Sequence, residues 1–236
     1  LSQKKTCTEV LETLRALPRG LPAIYSRMLL QIESSRRRTS SLILRWVTMA
    51  VRPLTLQELA AAAGIQSSAF ITTDQAVRDQ IALCGPFLKV HGHEVGLVHQ
   101  SARDYLLREE ADGNPVLEEF RIKPEEAHLE LARTCLNYIE HSPLQYAALD
   151  INEVSCLRES PLLNYAALHW PEHARCSATY AKELLDLSRP FFQKKSGLRR
   201  NWWEVCGETK GYRNPPPLSL LHMASHFGIV PWVRML

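Results

Sequence analysis

The sequence predicts a mainly α-helical fold that carries one small β-hairpin. Three observations predict it. Apolar residues recur at helical spacing through most of the chain, capping and stop signals fall at the ends of those stretches, and one pair of short β-prone runs flanks a glycine-containing turn. The chain has 236 residues, 45% of them hydrophobic and 22% charged. That suits a folded protein with its own core and excludes a disordered, collagenous or disulfide-stapled chain. The longest apolar runs fall far short of the roughly 20 residues that span a bilayer, so no membrane helix is expected. No secretory signal and no initiator Met open the sequence, so the chain is expected to be an interior piece of a longer one.

In chain order, Thr8 to Ile32 reads as helices broken at Leu17-Pro18-Arg19-Gly20-Leu21-Pro22, with Ile24, Tyr25, Met28, Leu29 and Ile32 at helical spacing. The polar, basic run Glu33 to Thr39 reads as a solvated connector. Leu42 to Val51 suits a buried helix, which Pro53 ends. Thr55-Leu56-Gln57-Glu58 has the spacing of a capping box, and the helix it opens should stop at Gly64, which can take the left-handed cap. Thr72 or Thr73 opens another helix that ends near Gly85. Phe87 to Val90 and Glu94 to Val98 form a hairpin around His91-Gly92-His93. Ser101 to Asp104 is a second capping-box pattern, with Ser101 as the cap and a closing helix through Leu107. Three helices, a hairpin and a closing helix make the order of a winged helix.

Beyond this unit, Ala111 to Pro115 reads as a loop. Pro124 suits the first position of a helix to Ile139, with Ala127, Leu131, Cys135 and Ile139 on one stripe. Further helices are expected at 161–170 and 178–192, an irregular basic linker at 193–217, and two short helical pieces at 218–236.

The formal net charge of +3 is too mild to imply nucleic acid. It sums an acidic segment, Glu109 to Glu130, and a basic one, Arg189 to Arg213. These read as two solvated faces, opposed to each other in one arrangement, or as an anion or acidic-partner patch. The six cysteines are scattered, with no C-x-x-C pair, and no N-x-S/T sequon occurs. Free thiols in a reducing, cytoplasmic compartment are expected.

Little catalytic chemistry is legible. Ser101 beside His99 lacks a G-x-S-x-G turn and an acid partner. Cys156, His169, His173 and Cys176 invite a zinc reading, since Cys156-x12-His169-x3-His173 has part of a zinc-finger spacing. The opening cysteine pair is missing and Pro171 should break the helix between the histidines, so structural roles are expected and no metal. Trp202, Trp203 and Tyr212 amid Arg199, Arg200 and Arg213 read as anchors of the linker, or as an aromatic-basic surface. A winged helix can bind DNA, but its third helix here carries Asp74 and Asp79 beside Arg78 and lacks a basic face. DNA is therefore not the expected partner.

Three stretches together resemble the fungal NACHT-type NLR proteins, which are STAND NTPases that carry a nucleotide-binding switch followed by ankyrin repeats. Leu17-Pro18-x-x-Leu21-x-x-x-Tyr25-x-x-Met28-Leu29 resembles the helix that leaves their NTPase core. Leu44-x-Trp46-Val47-x-x-Ala50-x-Arg52-Pro53-Leu54-Thr55-Leu56-x-Glu58-Leu59, with Val98-His99-Gln100-Ser101-x-x-Asp104-Tyr105-Leu106-Leu107, resembles their winged helix. Ser219-Leu220-Leu221-His222-Met223-Ala224-x-x-x-Gly228 is similar to the start of an ankyrin repeat, with Leu220 where Pro is usual.

The resemblance implies four parts: an exit from the NACHT core at 1–38, a winged helix at 39–110, a helical bridge and linker at 111–213, and a truncated first ankyrin repeat at 214–236. It implies a non-catalytic region that couples a nucleotide-dependent switch, in cis with an upstream NTPase core, to repeats that bind a protein ligand. The ankyrin motif residues would be Leu221, His222, Ala224 and Gly228. No G-x-x-x-x-G-K-[ST] loop occurs here, so ADP or ATP belongs to the longer protein and this chain is expected to hold no cofactor. His99 resembles the winged-helix histidine that reaches the bound ADP phosphates. Without the resemblance it reads as a structural histidine bonded to a nearby carbonyl. Two alternatives are a DNA-binding regulator and the accessory winged helix of a lipid-anchor deacylase-like hydrolase.

Overall fold

Helix α1 (Leu21–Leu30) begins after Gly20, whose φ of 90° is open to glycine, and buries Tyr25 and Leu29. The computed structural model describes residues 20–209 and 218–236, so the expected helix from Thr8, the break before Gly20 and the residues Tyr212 and Arg213 lie outside the described residues. The basic run that reads as a connector is instead the first turn of α2 (Ser34–Met49). Glu33 is extended at the cap, the Arg36 amide donates to the Glu33 carbonyl, and Arg37 Nε donates to the Ile32 carbonyl at 3.2 Å. Nothing in Ser34 to Thr39 breaks a helix. The buried face that follows, with Ser40, Ile43, Leu44 and Trp46, carries the polar turn with it.

The capping box forms as its spacing predicts. Thr55 Oγ1 accepts from the Glu58 amide at 3.2 Å, and Glu58 Oε2 accepts from the Thr55 amide at 2.8 Å, opening α3 (Leu56–Ala63). Gly64 ends it at φ 67°, in the left-handed region. Thr72 caps α4 (Thr73–Leu83). The hairpin pairs β2 (Leu88–His91) with β3 (Glu94–Leu97) in the register Val90 to Val95. A third strand too short to read from sequence, β1 (Leu54–Thr55), pairs Leu54 with Val95, so the antiparallel sheet has the order β1-β3-β2. Helix α5 (Gln100–Leu106) closes the unit. This is a winged helix, and α2 is its spine: it packs on α3, α4 and β3 and also on the long helix of the next unit.

That unit begins with the single turn α6 (Pro115–Glu118), capped by Asn114, and α7 (Pro124–Glu140). After the exposed α8 (Val154–Glu159), α9 (Leu163–Cys176) lies along α7. Small residues, Ala132 on α7 and Ala166 and Ala167 on α9, are fully buried. The expectation that Pro171 breaks this helix is overturned. Pro171 lacks the N–H that would bond the Ala167 carbonyl four residues earlier. The buried Trp202 supplies the missing donor: its Nε1 bonds the Ala167 oxygen at 2.9 Å.

Trp202 stands on α10 (Gly197–Thr209), a helix where composition predicted an irregular linker. Basic and glycine residues concealed an apolar face of Leu198, Trp202, Val205 and Cys206 at helical spacing, and Ser196 Oγ accepts from the Arg199 amide at 3.0 Å. Arg199 itself is 6% exposed and donates to the carbonyls of Phe191, Gln193, Lys194 and Leu218. Burial holds its guanidinium below the ordinary arginine range. The helix expected at 178–192 resolves into two 3-10 turns, Ala178–Leu184 and Pro190–Phe192. Between them Asp186 Oδ1 accepts from the Ser188 amide at 2.9 Å, and this local turn competes with a helix.

The last residues form the two short pieces expected, α11 (Leu220–His226) and α12 (Val230–Met235), joined at Gly228 with φ 65°. Trp232 is fully buried, bonds the Ala181 carbonyl at 2.6 Å, and joins Trp170, Trp202, Phe191 and Phe192 in one aromatic cluster.

Among the described residues, the ion pairs of the acidic and basic segments are made to other partners and not to each other. Glu119 and Glu130 face Arg37 and Arg45 of α2, Glu118 pairs with Arg121 at 2.7 Å, and Glu126 pairs with Lys123. Arg189 of the basic segment bonds Glu140 at 2.7 Å. Among the described residues, no helix is long and apolar enough to cross a membrane.

The Trp202 bond to Ala167 has a measurable signature. Trp202→Phe, which removes the indole donor and leaves the buried Ala167 carbonyl only the weaker Cys206 thiol at 3.4 Å, should destabilise the chain by about 1–3 kcal/mol. In a Pro171→Ala background the helix regains its own donor, so the same change should cost roughly 1 kcal/mol less. A urea double-mutant cycle reads the difference.

Candidate functional site

His99 occupies the position where strand β3 gives way to α5. Its backbone is extended, at φ −157° and ψ 154°, and its ring caps the helix. Nδ1 accepts from the Ser101 amide at 3.1 Å and lies 2.8 Å from Ser101 Oγ. The cap is therefore His99 and not Ser101, and the partner is an N–H and not the carbonyl expected. Ser101 falls within the first turn because its hydroxyl is engaged elsewhere, 2.8 Å from Tyr25 Oη on α1. Asp104 likewise does not close a capping box: it accepts from Gln100 Nε2 at 3.0 Å.

This geometry fixes the chemistry of the ring. An Nδ1 that accepts a backbone N–H holds a lone pair there, so the proton of the neutral imidazole sits on Nε2. Nε2–H points away from the cap on an exposed residue. The ring is thus a positioned outward donor, supported by a chain of contacts. Tyr25 stacks between Phe87 and Tyr105, and Ser26 Oγ lies 2.9 Å from Tyr105 Oη, which locks α1 to α5. Beside the lock, a groove of about 640 Å³ is lined by Tyr25, Ser26, Ser101, Asp104, Tyr105 and Arg108. The guanidinium of Arg108 lies 4.7 Å over the Tyr105 ring.

The other expected site residues lie at the far end of the chain. Ser219 Oγ accepts from the His222 amide at 3.2 Å and lies 3.0 Å from His222 Nδ1. Ala224 is buried, Leu221 and His222 are exposed, and Gly228 makes the turn.

The zinc reading dissolves into separate contacts. Both ring nitrogens of His173 are occupied, Nε2 by Tyr165 Oη at 2.9 Å and Nδ1 by His128 Nδ1 at 2.8 Å. The His169 ring packs 4.8 Å from Tyr165, and Cys176 Sγ donates to Glu172 Oε1 at 3.4 Å. Among the described residues, no group of three or more His, Cys, Asp or Glu is placed to hold a metal ion. Cys84, Cys135, Cys156, Cys176 and Cys206 are free thiols. Burial pushes the Cys84 thiol up to about 11 and Cys135 higher still, so both behave as small apolar residues.

The polar groups of α4 are spent internally: Asp74 accepts from Gln57, Asp79 from Gln75, and Arg78 donates to the Gly92 carbonyl. Trp202 and Trp203 are buried, which removes them from any stacking surface. Two polar constellations gave no clear signal in sequence. One is the Tyr165–His173–His128 chain, of which only His173 entered the zinc reading. The other is Arg52, which pairs with the buried Glu58 through both nitrogens, at 2.9 and 2.6 Å, donates to Asn164 and stacks on Tyr165.

Residues 25–118 match the family described as GPI inositol-deacylase, winged helix domain. The match spans α1 through α6 and agrees with the winged helix seen in the fold. Two curated relatives extend the comparison. The Azaphilone pigments biosynthesis cluster protein L of Monascus ruber is 26% identical over 207 residues, covering 82% of this chain and 43% of that protein. The Vegetative incompatibility protein HET-E-1 of Podospora anserina is 36% identical over 105 residues, covering 44% of this chain and 8% of that protein. The chain therefore spans less than half the length of either relative. No solved structure matches it.

If His99 is the cap, replacing it is a stability experiment before it is a functional one. His99→Ala should lower stability by about 1 kcal/mol, whereas His99→Asn, which offers a side-chain acceptor of its own, should stay within about 0.5 kcal/mol of the parent. Urea midpoints of the two variants check this.

Proposed function

We propose that this chain is a non-catalytic coupling region of a nucleotide-dependent signalling switch, and that His99 is its nucleotide-sensing residue. The observation that carries the reading is the fixed tautomer of His99. A histidine whose Nδ1 is consumed by a helix cap presents Nε2–H outward, and an N–H held in that way is a suitable donor to a phosphate oxygen. The likeness of part of the chain to a fungal protein named for vegetative incompatibility supports a regulatory setting. So does the resemblance of the winged helix and its histidine to fungal NACHT-type NLR proteins.

In this reading the nucleotide, ADP at rest and ATP on activation, is held by an NTPase core that acts in cis with the chain. His99 reports which nucleotide is present, and the α7–α9 pair carries the change onward. Leu221, His222, Ala224 and Gly228 belong to an ankyrin repeat, whose stack binds a protein ligand. The switch works through contacts that differ between its two states, and the His99 donor is one such contact.

The family description favours a second reading, an accessory winged helix of a deacylase-like hydrolase that acts on lipid anchors. The two readings differ in what adjoins the winged helix in the longer protein. A Walker-type phosphate loop marks the switch, and a G-x-S-x-G elbow marks the hydrolase.

His99→Asn in the longer protein tests the proposal, because it preserves a cap while replacing the ring Nε2–H by an amide N–H on a shorter side chain that does not reach as far outward. The ADP that co-purifies with the protein should fall by about tenfold or more, as expected for the loss of one charge-assisted hydrogen bond. Retention of ADP at the parental level by a stably folded variant would sink the assignment.

A further inference from the structure

The polar chain through Tyr165, His173 and His128 crosses the seam between the winged helix and the helical bridge. It starts at the Val51 amide, in the loop that joins α2 to β1, which donates to Tyr165 Oη at 3.0 Å. Tyr165 Oη lies 2.9 Å from His173 Nε2, and His173 Nδ1 lies 2.8 Å from His128 Nδ1. Tyr165 and His173 are fully buried, and His128 on α7 is half-buried.

One arrangement of protons satisfies every member. Val51 N–H already occupies the phenol oxygen as a donor, so the hydroxyl proton points to His173 Nε2. His173 is then protonated on Nδ1 and donates to His128 Nδ1, and His128 carries its proton on Nε2. The chain is directional and complete only when both histidines are neutral.

We propose that this chain is a proton-operated joint, which fastens the winged helix to the α7–α9 pair when both histidines are neutral and loosens the seam when one of them takes a proton. A proton added to His128 places two N–H groups face to face at 2.8 Å. If His173 shifts its own proton to Nε2 instead, Tyr165 must accept from both Val51 and His173, and the hydroxyl proton loses its acceptor. The first outcome breaks the contact between α7 and α9 and the second the bond from Tyr165 to His173; either leaves a polar hydrogen unpaired in the chain that holds Tyr165 against the Val51 amide, which is unfavourable.

The surroundings set the direction of the response. Glu172 on α9 favours a charged His128, while Arg103 on α5 and Arg175 on α9 oppose it. His169 and His128 oppose a charge on His173, and Glu172 favours it. Around Tyr165 stand Cys135, Arg52 and Glu58. Burial dominates for both rings: it depresses His128 and pulls His173 down to about 3. An unfolded histidine titrates near 6.5. The unfolded or opened state therefore binds protons first as pH falls, so the contribution of the joint is complete above about 6.5 and is lost between there and about 3.

Hydrogen exchange of the full-length protein between pH 7.5 and 5.5, corrected for intrinsic rates, reads the joint at its far end. The peptide containing Val51 should lose protection by about tenfold or more on acidification, while the core of α7 holds its protection. In His128→Gln and His173→Gln that pH dependence should flatten, and in Tyr165→Phe the Val51 amide should be poorly protected at every pH. A pH-independent Val51 amide in the parent overturns the proposal. So does a loss shared equally by α7, or an undiminished response in whichever glutamine variant folds.

Discussion

Tyr165 is the residue on which the arrangement of the chain depends. Its ring is fully buried, meets the edge of Trp46 at 6.0 Å, and carries Arg52 on its other contacts at 5.2 Å. Its hydroxyl receives the Val51 amide. A winged helix by itself has no reason to keep a fixed orientation toward the helices that follow. Here the loop that leaves α2 is gripped twice by α9, at Val51 through the phenol and at Arg52 through Asn164. Arg52 is held in turn by Glu58, whose carboxylate is 5% exposed as a residue and also closes the capping box of α3. One carboxylate thus serves a local helix start and a long-range seam. Burying that charge is tolerable because a bidentate guanidinium and a backbone amide satisfy it.

The far side of α9 is organised by a deficit rather than a gain. Pro171 removes a helix donor, and the Ala167 carbonyl that results is a fixed, buried acceptor. Trp202 fills it, which brings α10 against α9 and builds the aromatic cluster on which Trp232 of the last helix rests. The same helix therefore touches the winged helix through Tyr165, α10 through Ala167 and the last helix through Trp170. A displacement at one end of α9 has a direct packing path to the other, which the proposed coupling role requires.

What could be read from sequence was what local chemistry decides. The Thr55–Glu58 box, the left-handed Gly64, the Thr72 cap and the turn at Gly92 each depend on residues within four positions, and each formed as expected. Several of the failures share one cause. Ser34 to Thr39 and Gly197 to Thr209 are polar or basic enough to read as loops, yet a buried face elsewhere on the same helix pulls them into order. Pro171 reads as a breaker because its rescuer lies 31 positions later in sequence. Strand β1, with two residues, exists only through its pairing with β3. At the candidate site the residue was legible and its role in the helix was not, because an imidazole nitrogen can replace the usual oxygen as a cap.

The two histidine sites are built in opposite senses, and the contrast bears on what each can sense. At His99 the inner nitrogen faces an invariant backbone donor, so the ring has one useful tautomer and its free edge lies outside the protein. Such a group responds to what is placed against it. At His173 both nitrogens face groups that can themselves donate or accept, so the ring has no free edge and its state depends on the proton inventory of its neighbours. Such a group responds to proton activity and to the fit of the seam. Between the two runs α5, whose first turn His99 caps and whose Arg103 donates to the Thr48 carbonyl of α2 and faces His128. Seven residues of helix therefore join an outward-facing donor to a buried proton chain. The helix that His99 caps thus also carries one of the charges that act on His128.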